Sequence, residues 1–255
     1  MALATPEKQG RERALVLVKA LPHDSKVGET VCCAGVTEKR EWRRQFPIRF
    51  RHLKEKKFSR WQWIEYQWRT PGTDKRSESR RVQEDSIIPG DVLPLNKRAE
   101  FLDPLVVGSV EVAVQRGQSL ALIRPRDVRF VCRKKTVEEI ETERASFAAA
   151  ASQKTFFDKD LTALDPCPYD FRFRYKTDAG SHDHSCADWE TAVMFWNFEK
   201  RYGEDEALRL MSGTFNDEYP RKGMVFAMGT HSRWPQSWLL IGVIRLDVPK
   251  QMAFL

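Results

Sequence analysis

The chain has 255 residues, of which 41% are hydrophobic and 31% charged, and it carries a formal net charge of +7. This balance excludes an intrinsically disordered chain and predicts a folded, basic protein of one large domain or two smaller ones. No stretch approaches the ~18 apolar residues of a membrane span, and residues 1–12 lack the apolar core of a secretory signal. We therefore expect a cytoplasmic protein with no membrane partner.

In chain order, the pattern of the first half predicts a disordered N-terminus at residues 1–12, followed by short strands. Apolar and β-branched runs predict strands at residues 14–21, 28–36, 41–50 and 61–69. The polar composition of residues 70–86 and the Pro-Gly near their start predict a mobile loop. Residues 106–114 and 119–123 predict a hairpin around Gln-Arg-Gly-Gln, followed by a short strand at 127–133. Together these strands predict a small OB-like barrel across residues 13–133.

The segment from residue 39 to residue 81 holds fifteen Lys or Arg against five Asp or Glu. Tryptophans lie between these charges, and cations interleaved with planar rings are the mixture that grips phosphates and stacks bases. No helix-turn-helix or basic recognition helix is evident, so single-stranded nucleic acid or RNA is the expected ligand. The predicted binding residues are Arg43, Arg44, Arg49, Arg51, Lys56, Lys57, Arg60, Trp61, Trp63, Trp68 and Arg69. The alternative interpretation of this segment is a solvated face with core tryptophans.

The second half changes character at residues 134–165, where strong helix formers and glutamates predict a helical connector. Residues 166–255 predict a small α+β domain, with a strand at 169–175, helices at 191–200 and 204–212, and strands at 224–228 and 238–244. The expected fold class is therefore α+β, with a mostly-β, barrel-like domain at the N-terminus and a small α+β domain at the C-terminus.

Two histidines, a cysteine and three carboxylates lie within residues 182–190. Imidazole and carboxylate suit zinc or manganese, so a divalent metal could bind His182, His184, Asp188 and Glu190. With His231 from a later loop, residues His184, Asp188, Glu190 and His231 become catalytic candidates for a metal-dependent, nuclease-like enzyme. The spacing matches no established metal motif. The alternative is structural, with Asp188 capping the following helix.

Residues 229–235 place Arg233 and Trp234 in a loop between two apolar strands, where they could hold phosphate and a base. Arg172 and Arg174 alternate with aromatic residues on a strand and could extend the same groove. The alternatives are an ordinary hairpin loop and a subunit whose basic face binds an acidic protein. Five cysteines at irregular spacings favour neither a disulfide framework nor a cysteine-based zinc site.

Overall fold

The fold is that of a computed structural model, which describes residues 8–20, 23–25, 28–49, 58–72, 74–152, 165–231 and 234–248. Only the backbone is described at residues 23–25, 28–31, 49 and 149–152. The N-terminal strands are β1 (Gln9–Lys19), β2 (His23–Ser25), β3 (Gly28–Thr37), β4 (Trp42–Arg49), β5 (Gln62–Arg69) and β6 (Ser79–Val92).

Five of these strands close into a barrel, as the sequence predicted. The order around the barrel is β1-β5-β6-β4-β3, and β3 pairs again with β1 to complete the circle. Within the barrel, β4 and β6 pair in parallel, and the other described strand pairs are antiparallel. Side chains alternate along each strand, so one set fills the interior while the other faces outward. The interior consists of Ala14, Val16, Cys33, Ile48, Phe58, Ile64, Tyr66, Val82 and Ile87.

The first half departs from the sequence prediction in two places. Residues 9–12, expected in the disordered N-terminus, begin β1 and pair with β5. Residues 79–86, expected in a mobile loop, form the first part of β6, where Val82 is buried opposite Trp68. The polar side chains of this stretch misled the prediction, because a strand needs only backbone hydrogen bonds and one buried face.

The remaining elements follow after a short 3-10 turn at Leu95–Lys97, and a second such turn at Asp103–Leu105 precedes β7. They are α1 (Arg98–Leu102), β7 (Val106–Val107), α2 (Val110–Gln115), β8 (Leu120–Ile123), β9 (Arg126–Lys134), α3 (Val137–Ser152), β10 (Tyr169–Thr177), β11 (Gly180–Ser185), α4 (Trp189–Tyr202), α5 (Glu204–Gly213), a π-helical turn (Thr214–Glu218), α6 (Tyr219–Arg221), β12 (Met224–Thr230) and β13 (Trp238–Arg245). They form a four-stranded sheet, β13-β12-β8-β7, and a three-stranded sheet, β11-β10-β9.

The predicted hairpin at residues 106–123 is wrong. Residues 110–115 form α2, while β8 pairs with β7 in parallel and with β12 in antiparallel orientation. The valines favour a strand only weakly, and packing of the helix around buried Ala113 overrides that preference. The predicted strand at 127–133 does form as β9, but it pairs with β10 of the second half rather than with the barrel.

Two apolar clusters lie outside the barrel interior. One joins the outer face of β1, through Leu15 and Leu17, to the four-stranded sheet, through Leu120, Val225 and Ile241. The other is aromatic and packs the inner face of the three-stranded sheet against α4, α5 and β12. Within the described part of the chain, no helix has the length and apolar content that a membrane crossing requires.

Candidate nucleic-acid interface

Arg43 lies at one end of the barrel, where its guanidinium bonds two carboxylates. Its Nε donates to Glu12 at 2.6 Å and a terminal nitrogen donates to Glu41 at 2.6 Å. The hydroxyl of Tyr66 donates to the same Glu12 at 3.1 Å. Burial alone would lower the pKa of Arg43, but the two glutamates outweigh it and raise that pKa. The charge of Arg43 is therefore matched within the protein.

Arg44 is buried between the barrel and the four-stranded sheet. It donates to the backbone oxygen of Ser119 at 2.7 Å, and Glu78 accepts from the Ser119 N–H at 2.7 Å. Burial lowers the pKa of Arg44, and the positive charge of Arg76 adds to this effect. Such an arginine positions the two halves of the chain against each other and is closed to a ligand.

Arg60 and Asp188, predicted as a nucleic-acid contact and a catalytic candidate, bind each other. One guanidinium nitrogen lies 2.7 and 2.8 Å from the two carboxylate oxygens of Asp188. Asp188 is 1% exposed and caps α4 by accepting from the Glu190 N–H, as the structural alternative predicted. Its carboxylate also accepts from the Val243 N–H at 3.0 Å.

Each of the three predicted stacking tryptophans already carries an arginine over its ring. Arg98 lies 4.4 Å from the ring centroid of Trp61, and Arg80 lies 4.2 Å from that of Trp68. Trp63, which is 8% exposed, is covered by Arg13 at 4.9 Å. These cation–π contacts stabilise the barrel and leave Trp61 and Trp63 little surface on which a base could stack.

His182 and His184 stay together, with ring centroids 6.0 Å apart, but Asp188 and Glu190 pair with other residues. On β11, His184 Nδ1 lies 3.1 Å from the Tyr175 hydroxyl and His182 Nε2 lies 2.7 Å from Thr177 Oγ1. Burial lowers the pKa of His184, and the neighbouring His182 lowers it further. Glu190 instead pairs with Lys19 at 2.9 Å.

No three His, Cys, Asp or Glu residues come close enough to hold a metal ion within the described residues. His231 follows β12, at the start of the loop that leads to β13. The described geometry therefore assembles no metal centre from His182, His184, Asp188 and Glu190. Arg51, Lys56, Lys57, Arg233 and the side chain of Arg49 lie outside the described residues.

An accessible aromatic and cationic surface remains on the outer face of the barrel, across β3, β4 and β6. Phe46 on β4 is 38% exposed, and its Cα partner on β6 is the exposed Arg81. Cys32 on β3 is partly exposed. We call Cys32, Phe46 and Arg81 the barrel face. Neither Phe46 nor Arg81 was among the predicted contacts, although the alternation of Trp42, Arg44 and Phe46 along one strand could have indicated a shared outer side.

Other parts of the chain carry further cationic and aromatic residues. The loop before β6 contacts the end of β12, where Arg76 donates to the Thr230 backbone oxygen at 3.0 Å. The loop after Thr230 carries Trp234, which is 66% exposed. The strand β4 itself leads into the basic residues 50–57, whose structure lies outside the described residues. Arg69, another predicted contact, is exposed at the end of β5.

Arg172 and Arg174 lie on the outer face of the three-stranded sheet. Both bind the carboxylate of Asp183 on the adjacent strand, Arg172 at 3.0 Å and Arg174 at 3.2 Å. This surface belongs to a different sheet from the barrel face. Arg172 and Arg174 therefore do not lie on the same sheet as the predicted contacts of the barrel.

Comparison with known sequences divides the chain into two matched regions. No curated protein matches it. Residues 10–104 match the family described as "Domain of unknown function (DUF8758)", and residues 109–254 match "Domain of unknown function (DUF8757)". The two matches meet near β7, whereas the first domain was predicted to end at residue 133. Because the second match covers more than half of the 255 residues, the chain belongs to the family of the domain of unknown function DUF8757.

Proposed function

We propose that this protein binds single-stranded nucleic acid or RNA across the barrel face, in the cytoplasm. The observation that carries the proposal is the exposed Phe46 ring directly beside Arg81 on adjacent barrel strands. A base stacked on an aromatic ring contributes about 1–3 kcal/mol, and an adjacent arginine can pair with the following phosphate. Five unpaired cysteines are consistent with a reducing cytoplasm.

The barrel supports the proposal by analogy. OB-folds are five-stranded barrels whose second and third strands, with the neighbouring loops, bind oligonucleotides. In this chain β3 and β4 are the second and third strands of the closed barrel. A shared fold alone does not establish function, so the proposal rests on the residues of the barrel face.

Single strands fit this surface better than duplexes because only an unpaired base can leave its stack and lie on Phe46. The basic residues 50–57 continue directly from β4 and would supply further phosphate contacts. Arg43, Arg44 and Arg60 are not part of the proposed contact surface, because their charges hold the fold together.

The test is fluorescence anisotropy with labelled single- and double-stranded DNA and RNA across a salt series. We expect single strands to bind more tightly than duplexes, with affinity that falls steeply as salt rises. Phe46→Ala should weaken binding about tenfold through lost stacking. Arg81→Ala should weaken it and reduce the salt slope by about 0.7, the value for one phosphate contact on a single strand.

Tyr202→Ala and Arg116→Ala are matched controls, since each removes an exposed aromatic or cationic side chain from a different surface. Equal losses in the controls, or binding that ignores salt, would contradict the proposal. Absence of binding to all four nucleic acids, together with a co-purifying acidic protein, would favour the interpretation as a subunit of a larger complex.

A further inference from the structure

The outer face of the three-stranded sheet brings like charges together. Arg129 on β9 and Arg174 on β10 are direct Cα partners, and both side chains are exposed. Like charges directly opposite each other in an antiparallel pair destabilise a sheet. Arg172 lies two residues along the same strand and therefore on the same face. The fold alone gives no reason to place three guanidinium groups here.

Only one carboxylate faces Arg172 and Arg174 in common. Both oxygens of Asp183 are used, with Oδ1 at 3.0 Å from Arg172 and Oδ2 at 3.2 Å from Arg174. Although desolvation opposes it, hydrogen bonds from these two arginines lower the pKa of Asp183. Arg129 makes no ion pair within the residues that the structure describes. A second carboxylate, Asp170, lies 3.8 Å from Arg172 but is shared with Arg133 at 3.6 Å, so the cluster retains a net positive charge.

A depression of about 440 Å³ opens beside this cluster. It is lined by Asp127, Arg174, Tyr175, Lys176, Ser181, His182 and Asp183. Lys176 reaches Asp127 at 2.9 Å, so it is also held at the rim of the depression. Arg174, Lys176 and Ser181 supply guanidinium, ammonium and hydroxyl donors suited to the oxygens of a tetrahedral anion, and Asp183 and Asp127 hold the two cations in this structure.

We infer that this depression binds a phosphate group, and that Asp183 occupies the position of the anion when no ligand is present. A carboxylate and a phosphate present similar oxygen pairs to a planar guanidinium, so one can replace the other on Arg172 and Arg174. The phosphate can be free or can be the terminal phosphate of a nucleic acid. The inference goes beyond the proposed function, because it concerns a different sheet and holds whether or not the barrel face binds nucleic acid.

The arrangement predicts opposite effects for two neighbouring substitutions. Asp183→Asn removes the competing charge and should tighten the binding of inorganic phosphate and pyrophosphate about tenfold, measured by isothermal titration calorimetry. Arg174→Ala should weaken it by a similar factor, and Arg129→Ala should weaken it less, because Arg129 lies beside Arg174 but does not line the depression. A simple loss of folding would lower affinity in all three variants, so a gain in Asp183→Asn separates the two explanations. Circular dichroism melting confirms that each variant is folded.

The matched control is the exposed Arg209–Glu206 pair on α5. Glu206→Gln changes the net charge by the same amount as Asp183→Asn, and Arg209→Ala by the same amount as Arg174→Ala. Neither control variant should alter the affinity for phosphate. The inference is overturned if Asp183→Asn does not tighten binding, if the control variants behave like the site variants, or if wild-type protein and Asp183→Asn bind neither anion.

The source of the phosphate is distinguished with oligonucleotides that carry a 5′-phosphate or a 5′-hydroxyl. Tighter binding of the phosphorylated strand, lost in Arg174→Ala, assigns the site to a nucleic-acid terminus. Equal binding of both strands, with anion binding retained, assigns it to a free phosphate compound. Phe46→Ala and Arg81→Ala should leave anion binding unchanged, so failure of the barrel-face proposal would not be mistaken for failure of this one.

Discussion

At the scale of the residue, Asp188 shows how a carboxylate that looks like a catalytic candidate in the sequence can have a purely structural role in the fold. Its two oxygens accept from Arg60, from the N–H of Val243 and from the N–H of Glu190. With 1% exposure, it has no open coordination position for a metal or a substrate. Removing one member of a buried ion pair leaves the other charge uncompensated in a poorly solvated site.

We therefore expect Asp188→Asn to lower the free energy of unfolding by about 3–5 kcal/mol. The measurement is urea denaturation followed by tryptophan fluorescence. Asp127→Asn, which removes an exposed carboxylate, is the control and should have little effect. A loss below about 1 kcal/mol, in the range of a surface pair, would show that Asp188 is not the structural anchor described above.

At the scale of the element, the first turn of α4 is docked onto the end of β1. Ala20 forms an isolated bridge with Asp188, and Lys19 pairs with Glu190 at 2.9 Å. Burial opposes ionisation of Glu190, but Arg60 and Lys19 outweigh it and lower the pKa below the ordinary value of 4.5. A glutamate whose pKa is depressed on folding adds stability above its unfolded pKa, and that stability is lost as pH falls.

Glu190→Gln should therefore destabilise the protein at pH 7, and the difference from wild type should shrink as pH falls below about 4.5. Urea denaturation at pH 7, 5, 4 and 3 measures this. Glu206→Gln, which changes an exposed pair, controls for the general effect of acid. A difference that stays constant from pH 7 to pH 3 would show that ionised Glu190 does not hold α4 against β1.

Elements with strong local signals could be predicted from the sequence. The alternation of aromatic and charged residues placed β10, and Gly203 marked the end of α4. The predicted hairpin at 106–123 was wrong because packing decides between helix and strand in so short a segment. The partner of β9 was missed for a different reason, because pairing between strands that are distant in sequence leaves no local pattern.

The candidate site was harder to predict, because the partners of its charges are far away in sequence. Arg43 and Glu12 are separated by 31 residues, and Arg60 and Asp188 by 128. Composition could identify a basic segment, but it could not separate the arginines with carboxylate partners from those left for a ligand. Phe46 and Arg81 become neighbours only when β4 and β6 pair in parallel.

At the scale of the whole molecule, the two matched regions share an apolar core. Leu17 on β1 and Leu122 on β8 are both fully buried in the cluster between the barrel and the four-stranded sheet. The polar contacts of Arg44 with Ser119, and of Arg60 with Asp188, cross the same boundary. Separating the regions would expose this cluster and leave both arginines without partners. We therefore expect the two matched regions to unfold as one cooperative unit, because they share this cluster and these polar contacts.

This view is tested by Ile48→Ala, inside the barrel and outside the shared cluster, which should cost about 2–5 kcal/mol through lost burial and a cavity. In one cooperative unit, hydrogen exchange of the amides in β5 and in β12 should accelerate together, although the substitution lies only in the barrel. Leu95→Ala, at a position that is 50% exposed, should change neither. If the β5 amides alone respond while the β12 amides keep their protection, the two regions unfold separately. Binding to the barrel face could not then stabilise the C-terminal sheets, whereas in a cooperative molecule any ligand of the native state protects both regions equally.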